Sequence, residues 1–307
     1  MSDAEQRMSA LNSGLAGTGY ICGDDVTTAV YLAQALEKPV LVEGPPGVGK
    51  TELARAMASV TGRQLLRLQS YEGLDEGRAL YEWKYGKQLL YTQVLRNRLG
   101  ALLADTEDLD AAVGRLDGLG GGFFSEPFLD ARPLLQALRA EQGAVLLIDE
   151  VDKSDPEFEA FLLEFLADFQ VTIPEFGTVE ATTAPLVFLT SNASRELSDA
   201  LKRRCLHLHI PYPDRALERR ILEQRVPDLG ERLREEVVAF VHGLRELDLR
   251  KRPAISETLD WARTLVLLQA ERLDADVVRR TLNVLLKFQD DVELATPRIR
   301  EIQARQR

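Results

Sequence analysis

Short apolar runs alternate with amphipathic stretches over the first two thirds of the chain, and the last third is helical in pattern throughout. The runs are Pro39 to Glu43 (PVLVE), Gln64 to Leu68 (QLLRL), Ala144 to Asp149 (AVLLID), Pro185 to Thr190 (PLVFLT) and Leu206 to Ile210 (LHLHI). Three of them are nearly continuous in apolar residues, the pattern of strands covered on both faces, so the spacing predicts a parallel sheet with helices between its strands. Behind Asp155-Pro156, Phe158, Phe161, Leu162 and Phe165 recur at i, i+3, i+4 and i+7, which predicts a helix with an N-cap Asp, an N1 Pro and one buried face. Pro211-Tyr212-Pro213 continues neither strand nor helix and marks a hinge. Beyond it the period predicts helices over roughly 215–226, 231–247, 256–272 and 275–294, with a last one after Thr296-Pro297. The expected class is α/β: a parallel-sheet domain over 1–211 and a smaller all-helical domain over 212–307.

Residues 70–132 form a long stretch with its own aromatics and a flexible Gly120-Gly121-Gly122, and insertions of this kind carry specificity because the scaffold does not need them. Tyr81 to Tyr85 (YEWKY), followed by Gly86-Lys87, reads as a strand entering a tight turn, with Tyr81, Trp83 and Tyr85 on one face. Those aromatics either grip a client or pack on their own domain.

Composition adds limits. With 307 residues, 45% apolar and 28% charged, the chain has material for about two folded domains and excludes disorder and small disulfide scaffolds. Its cysteines, Cys22 and Cys205, stand far apart and outside any metal-ligand spacing, as expected of reduced core thiols. The acidic start lacks an apolar h-region and no segment approaches a membrane span, so a soluble, cytoplasmic chain is expected. Net charge is −11 and uneven: residues 1–201 hold 16 basic against 31 acidic side chains, and residues 202–307 hold 22 against 18. The larger block is strongly acidic, which disfavours indiscriminate nucleic-acid binding. Lid-to-core attraction between subunits is one use of the asymmetry, and two differently charged solvated surfaces are the other.

The sharpest chemistry lies at residues 44–51, GPPGVGKT, between an apolar run and a helical stretch. A strand, G-x-x-x-x-G-K-[ST] and a helix are the three parts of a P-loop. In it Gly44, Pro45, Pro46, Gly47, Val48 and Gly49 would wrap a phosphate with backbone N–H groups, Lys50 would reach the β and γ oxygens, and the Thr51 hydroxyl would ligate Mg²⁺. About a hundred residues on, LLIDEVDK ends an apolar strand in Asp149 and Glu150. There Asp149 would hold Mg²⁺ through water, and Glu150 would orient the attacking water. Asn192 follows a third strand as a neutral hydrogen-bonding amide, and Arg203 and Arg204 precede a fourth, where either could serve a neighbouring subunit's nucleotide or form a structural ion pair.

GPPGVGKT, LLIDEVDK, TSN and ALKRRC, in this order and before a helical lid, resemble the AAA+ ATPases. Within them the chain resembles the MoxR family, because QVTIPEFGTVEATT (170–183) is similar to a hairpin inserted ahead of the Asn strand and 70–132 takes the place of an insert in helix 2. GYICGDDVTTAVYLAQALEKPVLVEG, SYEGLDEGRALYEW and PAISETLDWARTL are most similar to the CoxD-like branch, and the resemblance spans almost the whole chain. It implies an AAA+ core with a five-stranded parallel sheet, ATP and Mg²⁺ as cofactors, a homo-hexameric ring and a partner with a von Willebrand factor A domain. It also implies a client metalloenzyme, in the CoxD-like branch the copper and molybdenum centre of carbon monoxide dehydrogenase. By position it makes Lys50 and Thr51 the Walker A pair, Asp149 and Glu150 Walker B, Asn192 sensor 1 and Arg204 the arginine finger. Where many MoxR proteins open a lid helix with Arg, this chain has Ile255-Ser256-Glu257, so sensor 2 is absent or supplied by Arg250, Arg252 or Arg263. A nucleic-acid motor on the same core is the competing function, opposed by the acidic block and the lack of an appended DNA-binding motif.

Overall fold

In this computed structural model, which describes residues 3–103, 124–174 and 176–304, each of the five apolar runs becomes a strand. The strands in chain order are β1 Val40–Glu43, β2 Gln64–Gln69, β3 Tyr81–Trp83, β4 Leu129–Ala131, β5 Ala144–Asp149, β6 Gln170–Ile173, β7 Gly177–Glu180, β8 Leu186–Ser191 and β9 Leu206–His209. Five make one parallel sheet in the order β2-β5-β8-β1-β9. Helices α1 Asp3–Gly17, α2 Asp24–Leu36, α3 Lys50–Thr61, α4 Glu76–Leu80, α5 Tyr85–Leu103, α6 Pro133–Arg139, α7 Pro156–Asp168 and α8 Asp199–Arg204 lie between and before the strands.

The apolar continuity of β5 and β8 follows from burial on both faces. Leu146, Ile148, Val187 and Leu189 pack with α6 and α7 on one side, while Val145, Leu147, Leu186 and Phe188 pack with α1, α2 and α3 on the other. A fully buried side chain of this size contributes about 1.5–3 kcal/mol. Phe158, Leu162 and Phe165 are the buried stripe of α7. Its N-cap Asp155 makes no side-chain bond to the helix; the carboxylate accepts from the Gly73 amide instead, at 2.8 Å.

From Arg215 onward the chain is helical: α9 Arg215–Arg225, α10 Glu231–Arg245, α11 Ile255–Leu267, α12 Ala275–Leu285, α13 Gln289–Ala295 and α14 Ile299–Ala304. They share an apolar cluster of their own, running from Leu222 to Ile302 around Phe240 and Trp261. Among the described residues no helix is long and apolar enough to cross a membrane.

Two local expectations are overturned. The helix expected over 275–294 breaks at Leu286, whose backbone is extended at φ −108° and ψ 128°. No Gly or Pro marks the break; it is held from outside, by the Arg250 guanidinium 4.1 Å over Phe288 and by Asp291, which accepts the amides of Arg250 and Lys251. The tight turn after Tyr85 is also absent. β3 ends at Trp83 and pairs antiparallel with β4, while Tyr85, Gly86 and Lys87 form the first turn of α5. Trp83 is buried edge-on to Tyr81, whereas Tyr85 is exposed, so the three aromatics do not share a face. The glycine run 120–122 lies outside the described residues. β6 and β7 pair as an antiparallel hairpin directly ahead of β8.

Candidate functional site

β1 lies between β8 and β9, so its carboxyl end opens at the point where helices leave both faces of the sheet. Gly44 begins the loop there, and a Cβ on it would stand 2.1 Å from the Ile210 carbonyl oxygen, so only glycine passes. The loop closes at Gly49, and α3 begins with Lys50. The Lys50 ammonium is buried and donates to the carbonyls of Gly44 (2.7 Å) and Pro45 (2.8 Å) and to Asn192 Oδ1 (2.8 Å). Burial pulls its pKa below the ordinary lysine value, opposed by the carboxylates of Asp152, Asp149 and Glu150.

Asp149, the last residue of β5, is almost fully buried. Its Oδ1 accepts from Thr190 (2.5 Å) and Thr51 (3.1 Å), and its Oδ2 accepts from Arg67 Nη2 (2.6 Å). Glu150 follows at φ +56°, a left-handed conformation that costs a non-glycine residue about 1–3 kcal/mol. Thr190 supports it by accepting the Glu150 amide at 2.9 Å. The Glu150 carboxylate accepts from Lys153 Nζ (2.6 Å), Gln69 Nε2 (3.0 Å) and Asn192 Nδ2 (3.4 Å). Asn192 therefore bridges Lys50 and Glu150 with opposite ends of one amide. Its turn is anchored by Asp152, which accepts the amides of Asn192 (3.3 Å) and Ser194 (2.9 Å) and the Ser194 hydroxyl. Burial raises the Asp152 pKa, but these donors outweigh it and hold the carboxyl below its ordinary value.

Beside the loop lies a cavity of ≈ 450 Å³, walled by Tyr20 to Gly23, Gly47 to Gly49, the Ile210 to Asp214 segment and the start of α11. The α11 end reaches the loop itself: the Ser256 amide donates to the Gly47 carbonyl at 3.3 Å. Arg250, Arg252 and Arg263 do not line this cavity, whereas Arg225 does. Arg203 and Arg204 stand exposed at the end of α8, and among the described residues neither makes an ion pair. Behind the cavity, Arg245 binds Glu218 bidentately (2.7 and 2.8 Å), donates to the Pro253 carbonyl and lies 5.3 Å over the Tyr212 ring.

The residues fit a nucleotide phosphate with a divalent cation. Loop amides, a helix N-terminus and a buried ammonium suit the anion. Thr51 and Asp149 supply the oxygen donors a hard dication takes, with Glu150 adjacent. Every P-loop residue expected from the motif, together with Asp149, Glu150 and Asn192, lies in this one group; Arg204 does not touch it within the chain. The sequence pattern does not single out Thr190, Arg67, Gln69 or Lys153 as part of the group. The available signal was the charged Arg67 inside a strand run, whose neighbour Gln69 is in register with Asp149.

Residues 39–205 match the AAA domain of the dynein-related subfamily. The chain is 33% identical to Lon protease homolog 2, peroxisomal, of Pichia angusta over 60% of its own length and 17% of that protein. It is 25% identical to the chaperone protein ClpB 2 of a Nostoc species over 79% of its length and 22% of that protein. It thus spans less than a quarter of either relative. The RuvB Holliday junction branch migration motor of Thermotoga maritima superposes over 87% of this chain and 70% of its own at 21% identity and a TM-score of 0.45, too low to add to the assignment. With more than half of its length matched by that domain, the chain belongs to the dynein-related subfamily of AAA domains, within the AAA+ ATPases.

Proposed function

We propose that this chain is a MoxR-type AAA+ ATPase that remodels or matures a client metalloenzyme. The observation that carries the ATPase part is the convergence of Lys50, Thr51, Asp149, Glu150 and Asn192 at the carboxyl ends of three neighbouring strands. In this reading the loop amides and Lys50 bind the phosphates of ATP, and Thr51 and Asp149 hold Mg²⁺. The cation offsets charge on the phosphates. Glu150 orients a water and takes its proton, and Asn192 keeps Glu150 and Lys50 apart at a fixed distance without adding charge. The cavity beside Tyr20 and Tyr212 would receive the base.

The MoxR assignment rests on the β6–β7 hairpin ahead of β8 and the long connection between β2 and β5; the lid departs from it, with Ile255-Ser256-Glu257 where many MoxR proteins have Arg. It brings with it a division into a core over 1–211 and a lid over 212–307, a homo-hexamer with Arg204 reaching the neighbour's nucleotide, a von Willebrand factor A domain partner and a cytoplasmic setting. The client's copper and molybdenum centre of carbon monoxide dehydrogenase would be substrate rather than resident cofactor. Steady-state hydrolysis with equilibrium nucleotide binding tests the core claim. Lys50→Ala should lose binding, and Glu150→Gln should keep binding while turnover falls about a hundredfold or more. Undiminished turnover in Glu150→Gln would sink it.

A further inference from the structure

Asp149 meets three donors, and they differ in what they can become. The hydroxyls of Thr51 and Thr190 rotate, and each carries lone pairs that can turn toward a cation. The guanidinium of Arg67 has no lone pair and no neutral form, so it leaves the carboxylate or remains there as a positive charge. Its Nη2 lies 2.6 Å from Asp149 Oδ2 and 2.8 Å from Gln69 Oε1. Arg67 comes from β2, the edge strand of the sheet, and its side chain is 46% exposed against 5% for Asp149. A solvent-side cation is therefore laid on the one oxygen of a buried carboxylate that the threonines bind least closely, with water available to receive it when it swings away.

Building on the ATPase reading above, we propose that Arg67 is a positioning residue that holds Asp149 until a divalent cation displaces it, and so sets the Mg²⁺ concentration at which nucleotide and metal bind together. Arg67 neutralises Asp149 while no dication is present, which lowers the electrostatic gain from a dication arriving beside it. Removing the guanidinium leaves Asp149 with two hydroxyls that can adapt to the metal, so the metal should bind at lower concentration. A lysine at the same position retains a cation of similar reach and should retain the threshold.

The test uses the full chain stripped with EDTA and N-methylanthraniloyl-ADP as probe, titrated with Mg²⁺, with free Mn²⁺ followed by electron paramagnetic resonance as a second readout. Arg67→Met, which keeps the apolar stem, and Arg67→Gln should each lower the half-saturating metal concentration about threefold to tenfold. Nucleotide affinity at saturating Mg²⁺ should change little, and Arg67→Lys should stay near the unaltered chain. Two independent substitutions at a half-exposed edge-strand position guard against a folding failure in either. An unchanged or raised metal requirement in the Met and Gln variants would overturn the proposal while leaving the ATPase reading intact. No probe binding by the unaltered chain at any Mg²⁺ concentration would overturn the ATPase reading, and the proposal with it.

Discussion

The Ser256 amide is bonded to the Gly47 carbonyl at 3.3 Å, so the first turn of a helix more than two hundred residues downstream rests on the phosphate loop. Gly47 has φ +82°, and a Cβ there would stand 2.4 Å from Ser256 Oγ and 2.9 Å from Ala254 Cβ. The approach thus demands glycine twice, for its backbone conformation and for its missing side chain.

Gly47→Ala should therefore weaken nucleotide binding and lower stability by about 1–3 kcal/mol. Adding Ser256→Gly should recover part of the loss, since it removes the hydroxyl in the way but not the strain at φ +82°. Thermal melts and a nucleotide titration of the single and double variants check both statements, and a Gly47→Ala chain with full affinity would show that the lid does not rest on the loop.

Asn192→Asp would put a further carboxylate about where the Asn192 amide now stands, 3.4 Å from Glu150, in place of an amide donor. Like charges so close in a partly buried site disfavour ionisation of both. Turnover should fall about tenfold or more with nucleotide binding retained through Lys50, and it should recover partly at higher pH. A pH–rate profile measures this, and a profile identical to the unaltered chain would contradict the assigned contact.

Glu218 and Arg245 are a buried pair shared with Thr258 and His242. Leaving either charge alone should be costly: Glu218→Ala should lose about 3–5 kcal/mol, while Glu218→Leu with Arg245→Met should lose much less. Burial raises the Glu218 pKa, but the bonds from His242, Arg245 and Thr258 outweigh it, so the folded value lies below the ordinary glutamate value. A depressed carboxylate binds its proton more readily when unfolded. Its contribution is complete above the ordinary value and is lost as pH falls toward the folded one. Urea unfolding at neutral and acid pH should show this slope in the unaltered chain and a shallower one in Glu218→Gln.

If, as proposed, Arg204 serves the neighbouring subunit's nucleotide in a ring, Arg204→Ala and Lys50→Ala subunits should each be inactive alone and partly active when mixed, because a mixed ring would contain interfaces with both groups intact. Coupled assays on mixtures, with mixed assemblies shown by native mass spectrometry, decide it. Absence of any recovery would make Arg204 structural and leave Arg203 to be tested in the same way.

The sequence by itself determined the parts whose chemistry is local. Gly44 to Thr51 carry the glycines, lysine and hydroxyl of an anion-binding loop, and the runs ending in Glu43, Asp149 and Thr190 had to be covered strands because they carry too few polar side chains for a solvated face. Tertiary structure decided which distant groups meet them. Arg67 reads as a polar position in a strand run and Gln69 falls just past its end, and only the β2–β5 register sets them against Asp149 and Glu150. Thr190 reads as the end of an apolar run, and only the placing of β8 beside β5 lets its hydroxyl bond Asp149 and the Glu150 amide together. The break at Leu286 and the helix beginning at Tyr85 were illegible for the same reason. Periodicity reports which face of an element is buried, whereas the partner of that face and the point at which a neighbour interrupts it depend on packing between segments far apart in the chain.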